Sequence, residues 1–257
     1  MMEPGSQNPW IVRPRPNPQA RLRLLCFPYA GGGASVFRTW PVGLPDDVEL
    51  WSIALPGRDS RAKEPPFDRL APLIEALTDA VAPRLQGPFA IYGHSLGALI
   101  GFSFARELRR RGLPAPVHLF VSGRRAPQLA ESWATRTLSD PEFLERLRGL
   151  GGISDAVFQE AELLAYFLPI FRADFAVSET AVTADEPPLA CSITALGGIA
   201  DERASVDALD AWQAQTTAAF DREMFAGGHF FLQSERDAVL ASLSRRLTAI
   251  LVPRAAS

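Results

Sequence analysis

The chain has 257 residues, of which 47% are hydrophobic and 21% charged, with a net charge of −3 at neutral pH. These values fit one large α/β domain or two small ones and exclude a disordered or collagen-like chain. They also exclude a global basic field that would recruit nucleic acid or an anionic membrane.

The first twenty residues carry several prolines and read as a loose arm or a short edge strand around Trp10, Ile11 and Val12. They lack the uninterrupted apolar core of a signal peptide, and the longest apolar stretch, 89–105, is interrupted by His94, Ser95 and Ser103. A cytoplasmic monomer is expected, with Cys26 and Cys191 as buried free thiols inside the apolar runs LLCF and LACSI.

Short apolar runs at 21–27, 48–54, 88–92, 117–122 and 191–196 read as strands buried on both faces, followed by a last strand at 221–225. Helical stripes separate them. Leu70, Leu73, Ile74, Leu77, Val81 and Leu85 form one, and Val206, Leu209, Trp212, Thr216 and Phe220 another. A third, at Val239, Leu240, Leu243, Leu247 and Ile250, follows a Ser234-x-x-Asp237 cap. This alternation predicts a doubly wound α/β fold, mostly parallel. Residues 127–186 break it with helical pattern only. We read them as a lid inserted into a core made of 1–126 and 187–257. Pro169 should bend or break its longest helix.

Gly93-His94-Ser95-Leu96-Gly97 is a G-x-S-x-G, a weak signal by composition alone. Here a strand precedes it and a helix follows, the setting that exposes a serine hydroxyl on a strained turn. A hydroxyl needs a general base to act as nucleophile. Of three histidines, His94 adjoins Ser95 and its ring should point elsewhere, and His118 opens a strand. His229 follows the last strand on a glycine-bearing loop, at the carboxyl edge where α/β sites form. Asp201, in the loop after 191–196, is the acid in the order Ser, Asp, His, with Asp185, Glu186 and Glu202 as rivals. The oxyanion should sit on the Leu96 amide and on one from Pro28-Tyr29-Ala30-Gly31-Gly32-Gly33. Ala30 is favoured and Tyr29 is the alternative. Tyr29, Phe167 and Phe171 are candidate pocket residues. No Lys-Ser/Thr follows the glycines, so a nucleotide site is not expected. No metal or other cofactor is expected.

FPYAGGGAS, LPGR at 55–58, GHSLGA, the Asp201 loop and GGHFFL, in that order, resemble the stand-alone type II thioesterases of polyketide and nonribosomal peptide pathways. The resemblance runs from about residue 21 into the final helix. It implies an α/β-hydrolase core with a helical lid, and hydrolysis of stalled or aberrant acyl groups from the phosphopantetheine arm of acyl or peptidyl carrier domains. Phosphopantetheine would then belong to the substrate. Such carriers are acidic near the arm, so Arg58 with Arg61, Arg109–Arg111, or Arg124 with Arg125 could dock one. An esterase acting on oxygen esters would use the same triad, and a non-catalytic binding protein of this fold would more naturally have lost it.

Overall fold

The computed structural model describes residues 8–129, 135–149, 151, 155–181 and 186–252. Its strands are β1 (Ile11–Val12), β2 (Leu22–Phe27), β3 (Val48–Ile53), β4 (Phe89–His94), β5 (His118–Ser122), β6 (Ser192–Gly198) and β7 (Phe220–Phe225). They form one sheet in the order β1-β3-β2-β4-β5-β6-β7. Every pairing is parallel except β1 on β3, where Ile11 lies opposite Ile53. The helices are α1 (Leu70–Val81), α2 (Leu96–Arg110), α3 (Asp140–Arg148), α4 (Asp155–Gln159), α5 (Ala161–Glu179), α6 (Val206–Asp210), α7 (Phe231–Ser234) and α8 (Arg236–Leu251).

Strands β2 to β6 are mostly apolar because both faces are covered, whereas the edge strand β7, Phe-Asp-Arg-Glu-Met-Phe, carries three charged residues and is only partly buried. Leu25, Phe27 and Ile91 point into a core with α1 and α2, whereas Leu24, Cys26, Ala90 and Tyr92 point into one with α8. Each fully buried large side chain contributes roughly 1.5–3 kcal/mol by leaving water. Cys26 and Cys191 are buried free thiols. Strand β2 lies between β3 and β4, so the strand order reverses there and opens a crevice at the carboxyl ends, where α/β sheets bind ligands.

Two local expectations are corrected, and of the bend or break expected at Pro169 the break does not occur. The predicted helix over 206–220 stops after α6 and a 3₁₀ segment, Ala211–Gln215. Thr216 is instead pinned beside the sheet by a bridge to Leu189 and a 2.7 Å hydrogen bond to the Cys191 carbonyl, and Phe220 opens β7. Ser234 does not cap α8. It already belongs to α7, and the N-cap is Glu235 with no side-chain cap. Pro169 lies inside α5 without ending it, and the break in the long helical run falls at Glu160, whose backbone is extended.

Between β5 and β6 the described chain is helical, as expected. Helix α3 starts with a Ser139–Glu142 capping box. Phe143 and Leu147 of α3 pack on Phe171 and Phe175 of α5 in a small cluster of their own, over the carboxyl end of the sheet.

Candidate active site

Ser95 joins β4 to α2 with φ +54° and ψ −113°. A positive φ in a non-glycine residue costs on the order of 1–3 kcal/mol and persists only where the surroundings enforce it. Here they do. The Ser95 N–H donates to the Ser122 carbonyl at 2.8 Å, and its own carbonyl receives the Ala98 N–H at 3.1 Å. The flanking glycines are required by contact: a Cβ on Gly93 would lie 2.1 Å from the Gly97 carbonyl oxygen, and one on Gly97 2.1 Å from that of Phe27.

His229 follows β7, and its Nδ1 lies 2.8 Å from Asp201 Oδ2. Both side chains are buried. Asp201 Oδ1 also accepts the Arg203 N–H at 3.0 Å. Burial would raise the Asp201 carboxyl, but the His229 hydrogen bond and charge, together with Arg203, outweigh it and hold the carboxyl below its ordinary value. For His229, burial is the largest influence and pulls the imidazole below 6.5, against the raising effect of Asp201. The pair is therefore a neutral imidazole held by a carboxylate at neutral pH.

Of the rival acids, Glu186 pairs with Arg109 at 2.6 Å, and Glu202 is exposed beside the site without reaching His229. Asp185 lies outside the described residues. His118 is half-buried at the start of β5, 2.9 Å from Thr194 Oγ1, with burial pushing it down to about 4. His94 shares a 2.8 Å hydrogen bond with Ser122 Oγ, and its ring packs 5.1 Å from that of His229. It buttresses the His229 ring, which its place in the motif did not foretell.

Ser95 and His229 line one cavity with Tyr29, Ala30 and Leu96. Among the described residues no acceptor takes the Ala30 or Leu96 N–H. Leu96 is the first residue of α2, where the helix dipole adds positive potential. The apolar wall is Leu147, Phe171 and Phe175. The cavity volume is about 40 Å³, room for about three waters at ~10–15 Å³ each. Phe171 crosses over Gly31 so closely that a Cβ there would sit 2.0 Å from its ring. Phe167 is a correction. It does not line the cavity but stacks behind Phe171, ring centroids 5.9 Å apart.

The family model for the thioesterase domain matches residues 22–247. The chain belongs to the thioesterase family. It is a thioester hydrolase with the α/β-hydrolase fold. This thioesterase is 40% identical over 248 residues to the gramicidin S biosynthesis protein GrsT of Aneurinibacillus migulanus, covering 96% of this chain and 97% of that one. The RedJ thioesterase from the prodiginine pathway of Streptomyces coelicolor superposes with a TM-score of 0.83 at 45% identity, covering 88% of this chain and 90% of RedJ. The type II thioesterase BorB from the borrelidin cluster does so with a TM-score of 0.85 at 33% identity, covering 95% and 99%.

Two residues that line this thioesterase's cavity, Arg203 and Asp174 of α5, escaped the sequence reading, and Arg124, read from the sequence only as a docking candidate, lines it too. Asp174 had one signal, a lone acid inside the apolar run of α5. The arginine clusters also need correcting. Arg58 and Arg61 are buried, Arg58 against Asp174 and Arg61 against Glu64 and the Ala54 carbonyl, so neither can meet a partner. Among the described residues no helix is long and apolar enough to cross a membrane.

Proposed function

We propose that this thioesterase is a type II enzyme that hydrolyses stalled or aberrant acyl groups from the phosphopantetheine thiol of carrier domains. Ser95, His229 and Asp201 would act as its triad. One observation carries the reading: the strained Ser95 elbow opens into the cavity that His229, held by Asp201, and two unengaged amides also line. His229 Nε2 takes the Ser95 proton as Oγ bonds to the thioester carbon, and the oxyanion rests on the Ala30 and Leu96 amides. Collapse expels the pantetheine thiolate, which takes the proton from His229. Water, deprotonated by the same nitrogen, then attacks the Ser95 ester and releases the acid and the serine hydroxyl. Protons balance with no cofactor.

Residues 127–186 serve as the lid in this reading and 1–126 with 187–257 as the core. The motif set suggested the rifamycin polyketide assembly line in particular, so its carriers are the first to load. The test is a panel of acyl-loaded carrier proteins assayed for thiol release beside matched oxygen esters. Faster turnover of carrier thioesters is expected. Preference for free oxygen esters would make the protein an esterase.

A further inference from the structure

Beside the cavity lies a buried polar cluster that this reaction does not use. Asp174, 3% exposed, accepts from Arg58 through both oxygens, Oδ2 from Nη1 at 2.6 Å and Oδ1 from Nη2 at 2.7 Å. The same Oδ2 accepts the Gly31 N–H at 2.7 Å. Arg58, 4% exposed, also donates to the Gly32 carbonyl at 3.2 Å. One carboxylate on α5 thus holds the loop that carries the Ala30 amide, and the guanidinium backs both.

The contact falls where that loop has a choice of shape. Residues 29–32 form a turn closed by the Gly32 N–H to the Tyr29 carbonyl at 2.9 Å, with Gly31 at φ +78°. A positive φ at the third position marks a type II turn. Its type I rival differs by rotation of the central peptide, here the one between Ala30 and Gly31. That rotation would swing the Ala30 carbonyl to where the Gly31 N–H now points, against the Asp174 carboxylate. Three glycines in succession leave the loop little else to fix this peptide. Phe171, one turn before Asp174 on the same helix, lies across Gly31 and forms the cavity wall.

We propose that Asp174 is a positioning residue that couples the seating of α5 to the geometry of the Ala30 amide. The proposal rests on the role given to Ala30 above. Lifting α5 breaks the Arg58 pair and the Gly31 hydrogen bond together and frees the loop that carries the Ala30 N–H, which sits on the Tyr29–Ala30 peptide next to the one that would rotate, while reseating α5 fixes that loop again. Hydrolysis is thereby confined to acyl groups over which α5 can close, so selectivity acts on kcat as well as on binding.

The test uses the double variant Arg58→Met/Asp174→Leu, which removes the latch without leaving a buried unpaired charge. The single variant Asp174→Asn keeps one acceptor oxygen. Turnover of acetyl and long-chain small-molecule thioesters is measured, with circular dichroism to confirm the fold and Ser95→Ala in parallel. The double variant should lose about 10–100-fold in kcat for both chain lengths, with KM within about threefold of wild type. Asp174→Asn should fall between the two. A folded double variant with wild-type kcat, or a loss confined to long chains, overturns the coupling. If the double variant does not fold, Asp174→Asn decides: lower kcat on both substrates at unchanged KM supports the latch, and wild-type kcat overturns it. Turnover surviving in Ser95→Ala would instead refute the triad, a result distinct from all of these.

Discussion

Gly97→Ala should disable the enzyme while leaving it folded, and the size of the loss follows from the packing of α2 on β2. The new Cβ would lie 2.1 Å from the Phe27 carbonyl oxygen, 2.6 Å from its carbon and 2.7 Å from the Pro28 oxygen. All three are backbone atoms and cannot rotate away. Ordinary contact begins at 3.4 Å, so the start of α2 must move off the end of β2 by about 1.3 Å. Leu96 opens α2 and Ala30 lies in the loop that follows β2, so the movement widens the gap between the paired donors. A misplacement of about 1 Å costs on the order of 10²-fold in rate. Gly101→Ala, one turn further along α2, is the matched control. Its Cβ meets the Ile91 Cγ2 methyl, a side-chain atom, at 2.7 Å and otherwise only ordinary contacts, so it should cost about 1–3 kcal/mol of stability and little rate. The assay is kcat on a small free thioester for both variants, with thermal melts. If Gly97→Ala keeps kcat within about threefold of wild type, the two amides are not a geometrically matched pair.

Asp201→Asn should lower kcat by roughly 10⁴, through the wrong imidazole tautomer. His229 must be neutral to act and is held below 6.5, so kcat/KM should rise with pH to a plateau with its midpoint below 6.5; a midpoint above pH 7 would contradict this. Phe171→Ala should favour longer acyl chains by about fourfold in kcat/KM per added methylene, from ~0.8 kcal/mol each, whereas Phe167→Ala should leave the preference unchanged. An equal loss at every chain length in a thioester series would show that Phe171 is not the wall. His118 is held near 4 in the fold against 6.5, so the unfolded chain binds the extra proton first and stability drains as pH falls from 6.5 towards 4. At ~1.36 kcal/mol per unit that is about 3 kcal/mol; His118→Gln should flatten the fall in denaturation midpoint between pH 7 and 4.5, and an unchanged slope would count against it.

Strands were legible because a strand covered on both faces is apolar at most positions, as in 88–92 and, apart from Arg21 and Arg23, in 21–27. Ser95, Asp201 and His229 could be placed because each follows a strand at the same sheet edge. What failed depends on how elements dock. Phe167 and Phe171 lie four residues apart on one helical stripe, and only the seating of α5 decides which reaches the cavity. Arg58 and Arg61 read as surface charge, since sequence does not reveal a carboxylate 116 residues away that pairs with Arg58 inside the protein. The stripe from Val206 to Phe220 keeps helical spacing by coincidence. The sheet claims its last third through Thr216 and Phe220.

The central claim, nucleophilic attack by Ser95 on a carrier-bound thioester, is tested most directly by trapping the intermediate. Acyl-loaded carrier protein is mixed with Asp201→Asn enzyme, quenched with acid and mapped by peptide mass spectrometry. The acyl mass should fall on the peptide containing Ser95 and vanish when Ser95→Ala is added to the same background. Acyl mass on another residue, or thiol release by Ser95→Ala enzyme at the wild-type rate, would contradict it.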